Sequence, residues 1–318
     1  GKNEKNHIII LNNLQPNTKY FYRVNGINKI YNFRTMAYPS QTKTVKFILY
    51  GDNRYDTHIL AGPFKDPCFH TAILRKIIEN QIRLDGEFDF NFTLNVGDVV
   101  LSGGVDYNWN QFHREISCLA PYRAYMIACG NHEFYQGNEE GGPNEAANIH
   151  KYWTYNDSSG DELNYWFTVG NCMFVVYNTG QYGTLKPSQV AWINETLESY
   201  RNNYDWAFLV NHHPYYGCGQ PSSNIATMIM ETIKKYNVSV SLTGHEHNYQ
   251  RYHDRILNWT HIVSGGGGAD LSERCTRYPL NFSASLYHYM VWEVTGNSSY
   301  VQTFNLNNEV IDSFKLYI

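Results

Sequence analysis

Apolar and polar positions alternate along this chain in two rhythms. Short apolar runs, Phe47–Tyr50, Phe92–Val96, Tyr125–Cys129, Ala207–Val210 and Val238–Leu242, have the length and composition of buried strands. Between them lie stretches in which apolar residues recur every three or four positions. Phe69–Asn80 sets Phe69, Ile73, Leu74, Ile77 and Ile78 on one helical face. Pro187–Tyr200 opens with Pro187-Ser188 and repeats Val190, Ile193 and Leu197, while Ile225–Tyr236 repeats Ile225, Met228, Ile229 and Ile233. Strand, helix, strand in this order predicts βαβ units packed in layers. Residues 7–36 differ: three short runs, His7–Leu11, Tyr20–Val24 and Tyr31–Arg34, are separated by the turns Gln15-Pro16-Asn17 and Asn25-Gly26 and predict a small β-module.

The chemistry lies where the longer rhythm breaks. Each of the five apolar runs leads into a short polar segment: Gly51-Asp52-Asn53-Arg54, Gly97-Asp98, Gly130-Asn131-His132-Glu133, His212-His213-Pro214 and Gly244-His245-Glu246-His247. Side chains at successive strand ends converge on one edge of a sheet, where open α/β folds place their ligands. Two carboxylates, one amide and three imidazoles on such an edge form a donor set with room for two cations. That chemistry suits phosphate esters, whose negative oxygens repel nucleophiles until cations neutralise them.

The order and wording of these segments resemble the calcineurin-like metallophosphoesterases and, within them, the purple acid phosphatases. His245-Glu246-His247-Asn248-Tyr249-Gln250-Arg251 looks like the last metal motif of that family, and Gly265-Gly266-Gly267-Gly268 and Glu309–Phe314 look like further landmarks. The resemblance implies an α/β fold, a four-layer α/β/β/α sandwich of two stacked sheets with helices outside. Before it would come part of a fibronectin-like β-sandwich module, recognised in Leu14–Val24. The expected divisions are 1–37 for the module, 38–45 for a linker and 46–318 for the catalytic domain. Three strands are too few to close a sandwich. The remainder is expected upstream of Gly1 or from a partner chain, in a homodimer or otherwise.

By the same resemblance, Asp98 would bridge two metal ions (iron, zinc or manganese). Asn131, His212 and His245 would complete the second site, and Asp52 and His247 would serve the first. His132 would face the substrate, donating a proton to the leaving group or a hydrogen bond to a phosphoryl oxygen. His213 is a weaker catalytic candidate, since neighbours on an extended chain point in opposite directions. Glu133 is expected to orient a neighbouring imidazole. Two positions depart from the family. Arg54 stands where many members have a histidine, and offers either a planar fork to phosphate or an ion pair to a carboxylate. Leu101 stands where purple acid phosphatases have a tyrosine, so the tyrosinate that colours the family is expected to be absent. The first metal then keeps three recognised ligands against four. Two rival readings follow: a catalytically weak extracellular scaffold, and a phosphodiesterase or nucleotidase with the same metal chemistry. The loop from Gln136 to Asn148, rich in Gly, Asn and Glu, is expected to form a mobile rim.

Composition narrows the setting. At 318 residues with a net charge of −4, the chain has no block of like charges to suggest a nucleic acid partner. A small phosphate ester is the expected one. No apolar stretch reaches membrane-spanning length. The polar start, Gly1–Asn6, does not read as a signal peptide, so the chain is expected to begin after processing or to be incomplete. Asn91, Asn156, Asn194, Asn237, Asn258, Asn281 and Asn297 each fit the glycosylation pattern. They point to a secreted, extracellular or lumenal protein of lysosomal or vacuolar type. Among six cysteines without a CxxC pair, Cys218 and Cys275 share glycine-bearing loops beyond strand ends and are the preferred disulfide. Cys129 is expected to be a buried thiol or half-cystine.

Overall fold

Within one strand, Phe47 and Leu49 enter one apolar core while Ile48 and Tyr50 enter another. This alternation predicts a sheet covered on both faces. The computed structural model describes residues 7–38, 44–54, 69–136, 146–155, 162–219, 224–277 and 279–318. A two-stranded hairpin, β1 (Lys19–Tyr22) and β2 (Tyr31–Arg34), comes first. The next stretch holds β3 (Thr44–Tyr50), α1 (Phe69–Gln81), β4 (Phe92–Asn95), α2 (Asp106–Ile116), β5 (Ala124–Ile127) and α3 (Ala147–Tyr152). It continues through β6 (Tyr165–Val169), β7 (Cys172–Val176), α4 (Pro187–Tyr200), β8 (Trp206–Val210), α5 (Ile225–Lys235) and β9 (Val240–Thr243). Six strands close the chain: β10 (Tyr249–Asp254), β11 (Trp259–Ser264), β12 (Phe282–Ala284), β13 (His288–Thr295), β14 (Ser298–Asn305) and β15 (Val310–Tyr317).

Two large sheets result, ordered β15-β14-β13-β3-β4-β5 and β12-β10-β11-β9-β8-β7-β6. The core between them joins Phe47, Phe92 and Leu94 of the first to Phe174, Phe208, Val240 and Leu242 of the second. The Phe47 ring meets Phe174 and Phe208 edge-on, at 5.4 and 5.8 Å. Helices α1 and α2 cover the outer face of the first sheet through Ile73, Ile77, Trp109 and Phe112. On the second sheet, α4 and α5 do the same through Ile193, Leu197, Ile229 and Ile233. The four-layer α/β/β/α sandwich is the one expected. Strands β3, β4 and β5 run parallel, as do β7, β8, β9 and β11, so their C-terminal ends lie together along one edge.

The N-terminal expectation needs correction. Residues His7–Leu11 form no strand. Ile8, Ile9, Ile10 and Leu11 are 65, 79, 70 and 55% exposed, and among the described residues β1 and β2 pair only with each other. An apolar β-prone run becomes a strand only where a sheet edge receives its backbone. The predicted strand Tyr20–Val24 also ends early, at Tyr22, before a turn closed by the Ile27 amide on the Val24 carbonyl. Most of the linker, residues 39–43, lies outside the described residues. Cys218 and Cys275 form the expected disulfide, and Cys129 is a buried free thiol.

Candidate metal centre

Three predicted site residues sit in left-handed backbone: Asp52 (φ 57°), Asp98 (φ 54°) and His245 (φ 68°). L-residues adopt this region at a cost and chiefly where surrounding structure holds them, often at functional sites. Each follows a parallel strand, β3, β4 or β9, so the chain turns sharply and aims the side chain across the sheet edge. The glycines before Asp98 and Asn131 have a steric reason. A Cβ on Gly130 would lie 2.2 Å from Asp98 Oδ1, and one on Gly97 would lie 2.7 Å from His212 Nδ1.

The two sheets contribute opposite halves of one donor set. Asp52, Asp98 and Asn131 come from the first sheet; His212, His245 and His247 come from the second. His212 Nε2 lies 3.3 Å from Asp98 Oδ1, 3.1 Å from Asn131 Oδ1 and 3.8 Å from Asp52 Oδ1. His245 Nδ1 lies 3.0 Å from Asn131 Oδ1, and His247 Nε2 is 3.6 Å from Asp52 Oδ1. Two overlapping groups have all their donor atoms within 4.8 Å of one another: Asp98, His212 and His245, and Asp52, Asp98 and His247. Asp98 is common to both. All six predicted ligands are thus brought together.

Neighbouring groups set which atom each ring presents. His212 donates Nδ1–H to the Val96 carbonyl at 2.8 Å, and His247 donates Nδ1–H to the Asp270 carbonyl at 2.6 Å. Both turn Nε2 toward the carboxylates, as metal-ligating imidazoles do. Burial, reinforced by the adjacent His212, pushes His245 down to about 3, so its ring is neutral and keeps one nitrogen lone pair. Burial and the nearby Asp98 push Asp52 well up, while His212 and His132 hold Asp98 well down despite its burial. His212 itself is carried up to about 9, because Asp98 and Asp52 outweigh its burial. Two fully buried carboxylates thus call for positive charge, and the imidazole, amide and carboxylate donors fit divalent or trivalent cations.

The remaining predicted residues surround this set. His132 donates Nδ1–H to the Leu101 carbonyl at 2.6 Å, and its Nε2 is 3.8 Å from Asp98 Oδ2. Arg54 Nε lies 3.7 Å from the same oxygen, which places the guanidinium in an ion pair beside the first ligand group. After burial, this charge is the next cause lowering the pKa of His247. His213 is buried behind the donors, with its ring 4.3 Å from that of His245 and its Nδ1 2.7 Å from Thr179 Oγ1. Glu133 accepts the backbone N–H groups of Asp98, Val99, Val100 and Gly130, at 2.6 to 3.3 Å. Its bonds therefore brace the Asp98 and Gly130 turns. Of the predicted rim loop, residues 137–145 lie outside the described residues.

Sequence reasoning missed three supports. Asn53 accepts Asn95 Nδ2 at 2.6 Å and donates to the Val99 carbonyl, tying the Asp52 turn to the Asp98 turn. Glu246 accepts the Gly219 amide, which holds the disulfide loop of Cys218 against the segment between His245 and His247. Tyr135 takes a hydrogen bond from Asn131 Nδ2 at 2.9 Å.

The calcineurin-like phosphoesterase description matches residues 56–249, a span holding every predicted site residue except Asp52 and Arg54. The chain is 28% identical over 322 residues to "Probable inactive purple acid phosphatase 1" of Arabidopsis thaliana, covering 84% of this chain and 49% of that protein. It is 24% identical over 291 residues to a nucleotide pyrophosphatase/phosphodiesterase of Hordeum vulgare, covering 79% of this chain and 76% of that one. The chain spans about half the length of the first of these relatives. Among solved structures, a purple acid phosphatase from yellow lupin (Lupinus luteus) seeds superposes with a TM-score of 0.76 at 20% identity, covering 96% of this chain and 60% of that one. This last likeness concerns the fold.

Proposed function

The chain belongs to the calcineurin-like phosphoesterase family, with purple acid phosphatases among its relatives, and on that premise we propose that it hydrolyses small phosphate esters, as an acid phosphatase-like monoesterase. One observation carries the reading: Asp98 is shared by two groups of donor atoms, as a carboxylate bridging two cations must be. A bound pair of cations would neutralise phosphoryl charge, lower the pKa of a water and hold the leaving oxygen. Asp98, Asn131, His212 and His245 would hold one cation, and Asp52, Asp98 and His247 the other. His132, its Nδ1–H bonded to the Leu101 carbonyl and its Nε2 3.8 Å from Asp98 Oδ2, would as an imidazolium carry a second N–H at Nε2, able to protonate the leaving oxygen or hydrogen-bond the phosphoryl group. Arg54 would add a charged donor to a phosphate oxygen, and His213 would hold the His245 ring from behind. The test is hydrolysis of a generic aryl phosphate by zinc-, manganese- or iron-loaded protein, with Asp98→Asn as control. Turnover that Asp98→Asn abolishes supports the reading; wild-type turnover in that variant overturns it.

A second reading, a catalytically weak extracellular scaffold, draws on Arg54. A fixed positive charge beside the first ligand group opposes a cation there, and the first relative named above is called inactive. Protein that binds two cations and turns over no phosphate ester favours this reading. A phosphodiesterase or nucleotidase shares the metal chemistry, and the barley relative's name agrees with it; a diester substrate in the same assay separates it.

We further assign residues 1–37 to part of a fibronectin-like β-module, 38–45 to a linker and 46–318 to the catalytic domain. A secreted or lumenal setting is supported by the Cys218–Cys275 disulfide and by the exposure of Asn237, Asn258, Asn281 and Asn297. Among the described residues no helix is long and apolar enough to cross a membrane.

A further inference from the structure

A side-chain amide has one end that ligates a cation and one that repels it. Asn131 directs Oδ1 at the two rings of the donor set, 3.1 Å from His212 Nε2 and 3.0 Å from His245 Nδ1. Turned over, it would present an NH2 group there, which has no lone pair for a metal. Among the described residues, the opposite end is held by Nδ2 donating to the Tyr135 hydroxyl at 2.9 Å.

We propose that Tyr135 is a positioning residue of the metal centre, its phenol holding Asn131 in place with Oδ1 toward the donor set and its ring packing against that of His132. The proposal rests on the dinuclear reading above. Tyr135 is itself held on both sides. Its amide donates to the His132 carbonyl at 3.2 Å, closing the short turn His132–Phe134. Its carbonyl accepts the Gly104 amide at 2.8 Å and Ser102 Oγ at 3.0 Å. Those two residues lie on the loop that follows Asp98, so Tyr135 joins the Asp98 and Asn131 loops. Its ring sits 4.3 Å from the His132 ring, centroid to centroid. A single residue therefore touches a ligand of the second cation and the candidate proton donor. Groups that orient metal ligands in this way are worth about 10–100-fold in affinity.

The test uses metal-free protein titrated with Zn2+ against a chromophoric chelator, comparing wild type, Tyr135→Phe, Asn131→Ala and the double variant. Tyr135→Phe keeps the ring and its packing, so the metal-free melting temperature should stay near wild type. It should weaken one Zn2+ step by about 10–100-fold, the same step that Asn131→Ala weakens, and leave the other step in place. In the Asn131→Ala background, Tyr135→Phe should cost nothing more, because no amide is left to orient. A Tyr135→Phe protein with both steps unchanged overturns the role of Tyr135 and leaves the dinuclear reading standing. So does a double variant weakened by the product of the two single effects. A wild type that holds no Zn2+ overturns both.

Discussion

His212 Nε2 lies 3.3 Å from Asp98 Oδ1, an imidazole from the end of β8 meeting a carboxylate from the end of β4 across the boundary between two sheets. Neither sheet carries the pair alone. The contact exists because Phe47, Phe174 and Phe208 pack the sheets face to face beneath it, so site geometry depends on core packing. Burial then sharpens the electrostatics: a carboxylate and an imidazole with almost no exposure interact far more strongly than they would in water.

His132→Ala should lower turnover by about two to four orders of magnitude and leave bound metal unchanged, since its Nδ1 is bonded to the Leu101 carbonyl. The loss should be greatest for substrates with poor leaving groups. An unchanged rate on an alkyl phosphate would remove the proton-donor role.

Arg54→His should tighten the first cation by at least about tenfold, or ~1.4 kcal/mol. It removes a positive charge 3.7 Å from Asp98 and adds a ligand where the family resemblance places one. In the wild type, chelator titration should remove the cations in two steps, the Asp52–His247 site first. Equal retention of both would mean that a further ligand completes that site.

Ferric-loaded protein should lack the iron–phenolate band, because Leu101 offers no phenol; Leu101→Tyr should introduce it. Of the tyrosines nearest in sequence, Tyr55 lies outside the described residues and Tyr107 is 67% exposed. A visible band in the wild type that vanishes in Tyr135→Phe would mean that this phenol has become a ligand.

Stability should fall on acidification. Burial pushes His261 down to about 3 and His288 down to about 4, so both are neutral in the fold. The unfolded chain protonates them near pH 6.5. The folded state therefore holds its full advantage above pH 6.5 and loses up to ~1.4 kcal/mol per ring for each pH unit below it, until the folded values are reached. Melting curves at pH 5 and pH 7 should show His288→Gln losing less on acidification than wild type. Equal losses would contradict the assignment. An acidic lumen would then require other stabilisation, and bound cations are the expected source.

The strands that end in ligands were legible because they are buried on both faces and read as short apolar runs, and α1, α4 and α5 because their apolar faces are continuous. Helix α2 was not, although Trp109, Phe112 and Ile116 share a face, because Asn110, Gln111, His113, Arg114 and Glu115 between them dilute the pattern. The antiparallel strands β13–β15 end in no ligand motif, although Glu309–Phe314, which opens β15, was legible as a landmark. The run His7–Leu11 misled because β propensity says nothing about whether a partner edge is present. At the site, motif order located all six candidate ligands. The bracing by Glu133, Asn53 and Tyr135 was out of reach, since it depends on which backbone amides and amide ends the turns bring together.

The central claim is that Asp98 joins two cations in one centre, and counting metal at equilibrium tests it most directly. Wild-type protein dialysed against micromolar Zn2+ should retain two ions per chain by elemental analysis. Asp98→Asn, which leaves one neutral amide between the two donor groups, should retain one or none under the same conditions. Two ions held by Asp98→Asn with wild-type affinity would contradict the account.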